Sequence, residues 1–130
     1  MPTRARVYIS FDYDNDDDLR TLLVGQSKNE DSPFSIVDAS IPAPVTGDWK
    51  ASARRRIKGA DVVAVICGQR TNTATGVAVE VTIAQEEGVP YFLLAGRKAG
   101  GNKKPTTAKS TDKLYNWTWD NLKTLIHGGR

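Results

Sequence analysis

The sequence predicts an α/β fold, a three-layer α/β/α open parallel sheet, and three observations carry that expectation. Val62-Val63-Ala64-Val65-Ile66-Cys67 is an apolar run without polar alternation, set between Gly59 and Gly68, as strands buried on both faces of a parallel sheet are. Strand-like and helix-like segments alternate along the chain in the order βαβαβαβ, which calls for helices on both faces of such a sheet. At 130 residues, 39% apolar, the chain has the length of a single domain with one core, spanning 1–130.

Taken in order, Ala5-Arg-Val-Tyr-Ile-Ser-Phe11 mixes β-branched and aromatic residues and ends at an acidic cluster, the pattern of a strand closing on a loop. Asn15 is placed to cap a helix whose first turn is Asp16-Asp17-Asp18, where carboxylates face the positive end of the macrodipole. Leu19, Leu22 and Leu23 form its apolar face. A second strand is expected at Phe34–Asp38. The Pro42-Ala-Pro44 loop leads to a helix from about Asp48, with Trp49, Ala53 and Ile57 one turn apart and Arg54-Arg55-Arg56 as a solvated face. After the central strand, Thr75 to Glu87 forms a helix with Gly88 as its C-cap, and Pro90 opens a fourth strand at Tyr91–Ala95. Residues 96–113, rich in Gly, Lys and Thr, read as a mobile loop, and a final helix spans about Asp120 to Ile126.

Charge and cysteine usage exclude several function classes. The net charge of +3 is unevenly spread: residues 1–48 carry four basic and nine acidic groups, 49–95 six and four, 96–130 eight and two. The basic tail has no interleaved aromatics, so it lacks the stacking platform of a single-strand nucleic-acid binder, and nucleic acid is not an expected partner. No apolar run approaches the roughly 20 residues that span a bilayer, and no basic-then-apolar leader follows Met1. A cytoplasmic protein without a membrane partner is expected. One Cys, with one His far from it, gives no disulfide and no metal-ligand pattern.

In an open α/β sheet, ligands bind beyond the carboxyl ends of the strands, where strand order reverses. Here those ends carry Ser10-Phe11-Asp12-Tyr13-Asp14, then Asp38-Ala39-Ser40, then Cys67-Gly68-Gln69-Arg70. Glu80 stands out on angular grounds. At 100° per residue its neighbours around the helix are Ile83 and Val79 on one side and Ala84, Val77 and Val81 on the other, so it interrupts an apolar face. A carboxylate so placed is costly unless it is paired, by an Arg such as Arg70, or used at a site.

Known uses of this architecture can be tested residue by residue. A receiver domain needs a phosphorylatable Asp after the central strand, where this chain has Cys67-Gly68. A flavodoxin has a hydroxyl-rich phosphate loop after the first strand, where this chain has Phe11-Asp12-Tyr13. Thr71-Asn-Thr-Ala-Thr-Gly76 reads as a helix N-cap, and there is no G-x-G-x-x-G or P-loop.

The chain resembles the TIR-like domains of the Thoeris antiphage-defence kind, a flavodoxin-like group. The likeness rests on Val7-x-Ile9-Ser10-Phe11-x-Tyr13, Asp18-Leu19-Arg20, Val37-Asp38-Ala39-Ser40, Ile57-x-Gly59 before Val65-Ile66-Cys67-Gly68, and Tyr115-Asn116-Trp117 with Asn121-Leu122 near the C-terminus. Enzymes of this family cleave the nicotinamide–ribose bond of NAD+ and rearrange the ADP-ribose portion into a signalling nucleotide that activates an effector protein. The resemblance therefore implies an NAD+ nucleosidase or ADP-ribose cyclase, a hydrolase with NAD+ as substrate and no resident cofactor. It implies Glu80, eight residues before Gly88, as the catalytic residue. Phe11 or Tyr13 would stack on a base or the nicotinamide ring, and Asp12, Asp38 and Ser40 would line the same cleft. Gly76 stands where many TIR domains place a Trp one turn before the glutamate, which removes one aromatic wall.

Two further functions share the architecture. One is a non-catalytic module for self-assembly or protein interaction, using the acidic front and basic tail as complementary surfaces. The other is a nucleoside deoxyribosyltransferase-like enzyme, which also sets a carboxylate at a ribose.

Overall fold

The computed structural model describes residues 4–37 and 49–128. Five strands, β1 (Ala5–Ser10), β2 (Phe34–Ile36), β3 (Val62–Cys67), β4 (Tyr91–Ala95) and β5 (Leu114–Asn116), form one sheet in the order β2-β1-β3-β4-β5, every pair parallel. The helices are α1 (Asp17–Ser27), α2 (Trp49–Lys58), α3 (Thr75–Glu87) and α4 (Trp119–Ile126). The order reverses at β1, which lies between β2 and β3, so the loops after β1 and β3 diverge there.

All six residues of β3 are buried, as its unbroken apolar run requires. Successive side chains feed opposite layers. Val62, Ala64 and Ile66 join Val7, Phe92 and Leu94 against Leu19 and Leu23 of α1 and Leu122 and Leu125 of α4. Val63, Val65 and Cys67 join Tyr8 and Leu93 against Ala53 and Ile57 of α2 and Val77, Val81 and Ala84 of α3. The three-layer α/β/α sandwich expected from the sequence is therefore the observed one. The sequence expectations for β3, α3 and β4 match the observed bounds, and Gly88 closes α3 with φ 68°, the left-handed conformation that glycine adopts without steric cost.

Several local expectations are corrected. Asp16, not Asn15, occupies the N-cap of α1, and neither side chain caps it: Asn15 Nδ2 donates to the Asp12 carboxylate at 2.7 Å, while Asp16 turns toward Arg97. Leu22 is 55% exposed rather than part of the apolar face. The threonines before α3 do not cap it. Thr71 instead accepts the Gly68 N–H through its hydroxyl at 2.7 Å, closing the turn after β3. Leu114–Asn116, which overlaps the Tyr-x-Trp motif, adds a fifth strand too short and too mixed to be read from periodicity.

The segment 96–113 has several ties to the body. Lys103 N–H donates to the Gly68 carbonyl (2.9 Å), Thr107 donates to the Ala78 carbonyl (2.7 Å) and accepts through its own carbonyl from Gln85 (3.0 Å), and the Asn102 side-chain amide both accepts the Arg97 backbone N–H (2.9 Å) and donates to the Arg97 carbonyl (3.0 Å).

Candidate functional site

The site grows from the alternation of β1. Arg6, Tyr8 and Ser10 share the face that α2 and α3 cover, while Val7 points to the opposite layer. Across from them, α3 turns its buried stripe, Val77, Val81 and Ala84, onto the sheet, and Glu80 lies within that stripe at 8% exposure. Two hydroxyls of β1 meet it. Ser10 Oγ donates to Glu80 Oε1 at 2.8 Å, and the Tyr8 phenol donates to Oε2 in a very short hydrogen bond.

Burial governs the electrostatics of this pair. It pushes the Glu80 carboxyl up to about 7, against the opposing pull of the Tyr8 and Ser10 hydrogen bonds and the positive charge of Arg56. The Tyr8 phenol is raised too, chiefly by burial and then by the neighbouring Glu80 charge. Glu80 is therefore held by hydroxyls, with Arg56 of α2 nearby, rather than by Arg70, which is exposed. At the far end of the helix, Glu87 forms an ion pair with Arg54 of α2.

A second polar cluster closes the loop after β1. Asp12, 7% exposed, accepts the Asp14 N–H and the Asn15 amide, so its carboxylate serves the turn. Arg97, just past β4, reaches back across the sheet edge: its guanidinium bonds Asp18 (2.6 and 2.8 Å), Asp16 (3.0 Å) and the Asn15 carbonyl (2.8 Å). The acidic start of α1 is thus partly offset from within the chain by the first basic residue of the tail, which pairs with Asp16 and Asp18. Asp16 is 1% exposed, and burial raises its carboxyl pKa in spite of Arg97. Its Oδ2 has no hydrogen-bond partner among the described residues. Gly68 makes this packing feasible, because a Cβ there would lie 2.3 Å from the Asp16 carboxylate.

The residues expected to share the cleft are only partly gathered. Phe11 packs against the α1/α4 layer, opposite to Glu80, with its ring 5.1 Å from that of Tyr13, which is 40% exposed. Asp38 and Ser40 lie outside the described residues. The residues that touch Glu80 are Tyr8 and Ser10, and the signal for them in the sequence is the two-residue period of the first strand, which places both on one face. A Cβ at Gly76 would meet nothing within 4 Å. Cys67 is buried with its thiol pushed up to about 12, which excludes a thiolate nucleophile near neutral pH. Among the described residues no group of acidic, His or Cys side chains could hold a metal ion, and no helix is long and apolar enough to cross a membrane.

With this geometry in place, comparison with known families gives a decisive result: the family described as Thoeris protein ThsB, TIR-like domain, matches residues 8–98, well over half of the chain. The chain belongs to the ThsB TIR-like family. Within the ThsB TIR-like match fall Tyr8, Ser10 and Glu80, together with α1, α2 and α3, whereas β5 and α4 lie beyond it. The search of curated proteins found no match. The ThsB TIR-like family is one of antiphage defence, and the fold above is the flavodoxin-like, TIR-like arrangement expected for it.

Proposed function

We propose that this ThsB-family domain cleaves the nicotinamide–ribose bond of NAD+ in antiphage defence and converts the ADP-ribose portion into a signalling nucleotide, with Glu80 as the catalytic residue. The observation that carries this reading is a carboxylate buried in an apolar helix face, gripped by two hydroxyls and raised to about 7. Such a group retains its proton across acidic pH and is poorly solvated when charged, so its charge acts at full strength on a cation beside it.

In the reaction, the C1′–N bond of NAD+ breaks, its electron pair passes to the ring nitrogen, and nicotinamide leaves neutral. Positive charge then develops on the ribose as an oxocarbenium-like centre. Ionised Glu80 would exchange its Tyr8 or Ser10 hydrogen bond for ribose hydroxyls and oppose that charge. Water, or a nucleophilic atom of the same ADP-ribose, then bonds C1′, and the proton of an attacking O–H passes to bulk water. Tyr8 and Ser10 position the carboxylate, Tyr13 offers an exposed ring for stacking, and NAD+ enters as substrate.

The test is incubation with NAD+ under conditions that promote assembly, read by mass spectrometry for wild type and Glu80→Gln. Nicotinamide release that rises through pH 7 and disappears in the variant is expected. An inert wild type would remove this reading.

One observation favours a second reading, a non-catalytic interaction module. Both Glu80 oxygens are already engaged, and the side chain is nearly inaccessible, as in a carboxylate whose task is to tie α3 to β1. The same incubation separates the two, and base exchange on deoxynucleosides in it would identify a deoxyribosyltransferase-like activity instead.

A further inference from the structure

The run Arg54-Arg55-Arg56 does not behave as one solvated face. Consecutive residues lie 100° apart on a helix, so the three guanidinium groups leave α2 in three directions. Arg54 crosses to α3 and pairs with Glu86 at 2.7 Å and with Glu87. Arg56 turns toward the sheet and is near enough to Tyr8 and Glu80 to favour their charged forms. Arg55 is exposed.

Arg55 and Arg56 border a groove of about 610 Å³ between α2 and the edge strand β2. Its helix wall presents Ser52, one turn before them, and its sheet wall presents Arg6 and Ser35, which are directly paired neighbours in the β1–β2 register. Arg6 is only loosely engaged: its Nε lies 3.9 Å from Asp61, whose carboxylate chiefly accepts the Arg6 backbone N–H at 2.8 Å. Guanidinium groups thus stand on both walls, with hydroxyl donors beside them and no carboxylate among the groove's described lining. An orthophosphate would fill a small fraction of this volume. A diphosphate can bridge the walls, taking two-pronged hydrogen bonds from Arg6 on one side and Arg55 on the other, and a nucleoside diphosphate falls within the size range of such a groove.

We infer that the groove between α2 and β2 is a binding site for the diphosphate group of a small nucleotide, held by Arg6 and Arg55 with the Ser35 and Ser52 hydroxyls. The site is separate from the proposed cleavage chemistry and does not depend on it. Arg56 connects the two, because it lines the groove and also faces the Tyr8–Glu80 pair.

The experiment is titration of the whole chain with inorganic pyrophosphate and with ADP, followed by calorimetry and by backbone NMR shifts. Saturable binding is expected, with shifts centred on Ser35, Ser52 and Arg55. It should weaken about tenfold in Arg55→Gln and in Arg6→Gln, a loss typical of one charge-assisted contact. Both arginines are exposed, so unchanged circular dichroism will show that these variants fold. Lys109→Gln, in the basic tail, should retain binding, which separates this site from a general attraction to positive charge. No saturable binding, affinity unchanged in both arginine variants, or binding by a single-stranded oligonucleotide but not by pyrophosphate would each overturn the proposal.

Discussion

The phenol of Tyr8, midway along β1, donates its hydrogen to Glu80 of α3, 72 residues later in the chain. This bond ties a helix to the strand at which the sheet order reverses, and it lies among apolar side chains where an unpaired polar group would be expensive. Tyr8→Phe removes the donor without opening space. The variant should lose about 1–3 kcal/mol in urea unfolding. Because the phenol's hydrogen bond holds the carboxyl down, the Glu80 titration, followed by carboxyl-carbon NMR, should move above its wild-type midpoint.

The raised Glu80 pKa also sets a pH dependence of stability. The folded carboxyl titrates near 7 and an unfolded one near 4.5, so between these values the folded state binds more protons. Stability therefore falls as pH rises through that window and levels off above it. At pH 8 the ionised form costs roughly 3 kcal/mol by this linkage. Glu80→Gln, which has no such ionisation, should show a flatter melting temperature between pH 5 and pH 8. An equally steep profile in the variant would mean that another group controls it.

Arg97 neutralises a carboxylate that has almost no access to water. Arg97→Met should destabilise the fold by about 2 kcal/mol, less than for a fully buried pair because the guanidinium is partly exposed. Adding Asp16→Asn removes the stranded charge and should restore much of that loss in a double-mutant cycle. Strictly additive losses would show that the pair contributes nothing.

Gly68 is required by proximity rather than by backbone angle. A methyl group there would overlap the Asp16 carboxylate, which Arg97 and the start of α1 hold in place. Gly68→Ala should cost about 2–4 kcal/mol, and Asp16→Ala in the same chain should relieve the overlap. Calorimetric melting of the single and double variants checks this.

Much of this architecture was legible because it is written in local patterns. The apolar run of β3 and the apolar stripe of α3 each declare their environment within a few residues, and the angular position of Glu80 follows from the same stripe. What the sequence did not show depends on distant residues. Asp16 looks like one more first-turn acid until Arg97 arrives from 81 residues away. Asp12 looks like a cleft residue until Asn15 claims it. Phe11 is a different case, because the two-residue period that sets Tyr8 and Ser10 on one face already sends it to the layer opposite Glu80. Three neighbouring arginines read as a solvated face because a linear charge run does not reveal that Arg54 crosses to Glu86 and Glu87.

The family match stops at residue 98, but the sheet does not. β5 pairs with β4 at Leu93, Leu94 and Ala95, and Leu122, Leu125 and Ile126 of α4 fill the α1 side of the core. A chain cut at the last matched residue would leave the β4 backbone as a raw edge, free to recruit a strand from another molecule, above a layer missing one of its two helices. The boundary within which sequences resemble one another is narrower than the boundary within which this protein folds. Tags, fusions and truncations should respect the second.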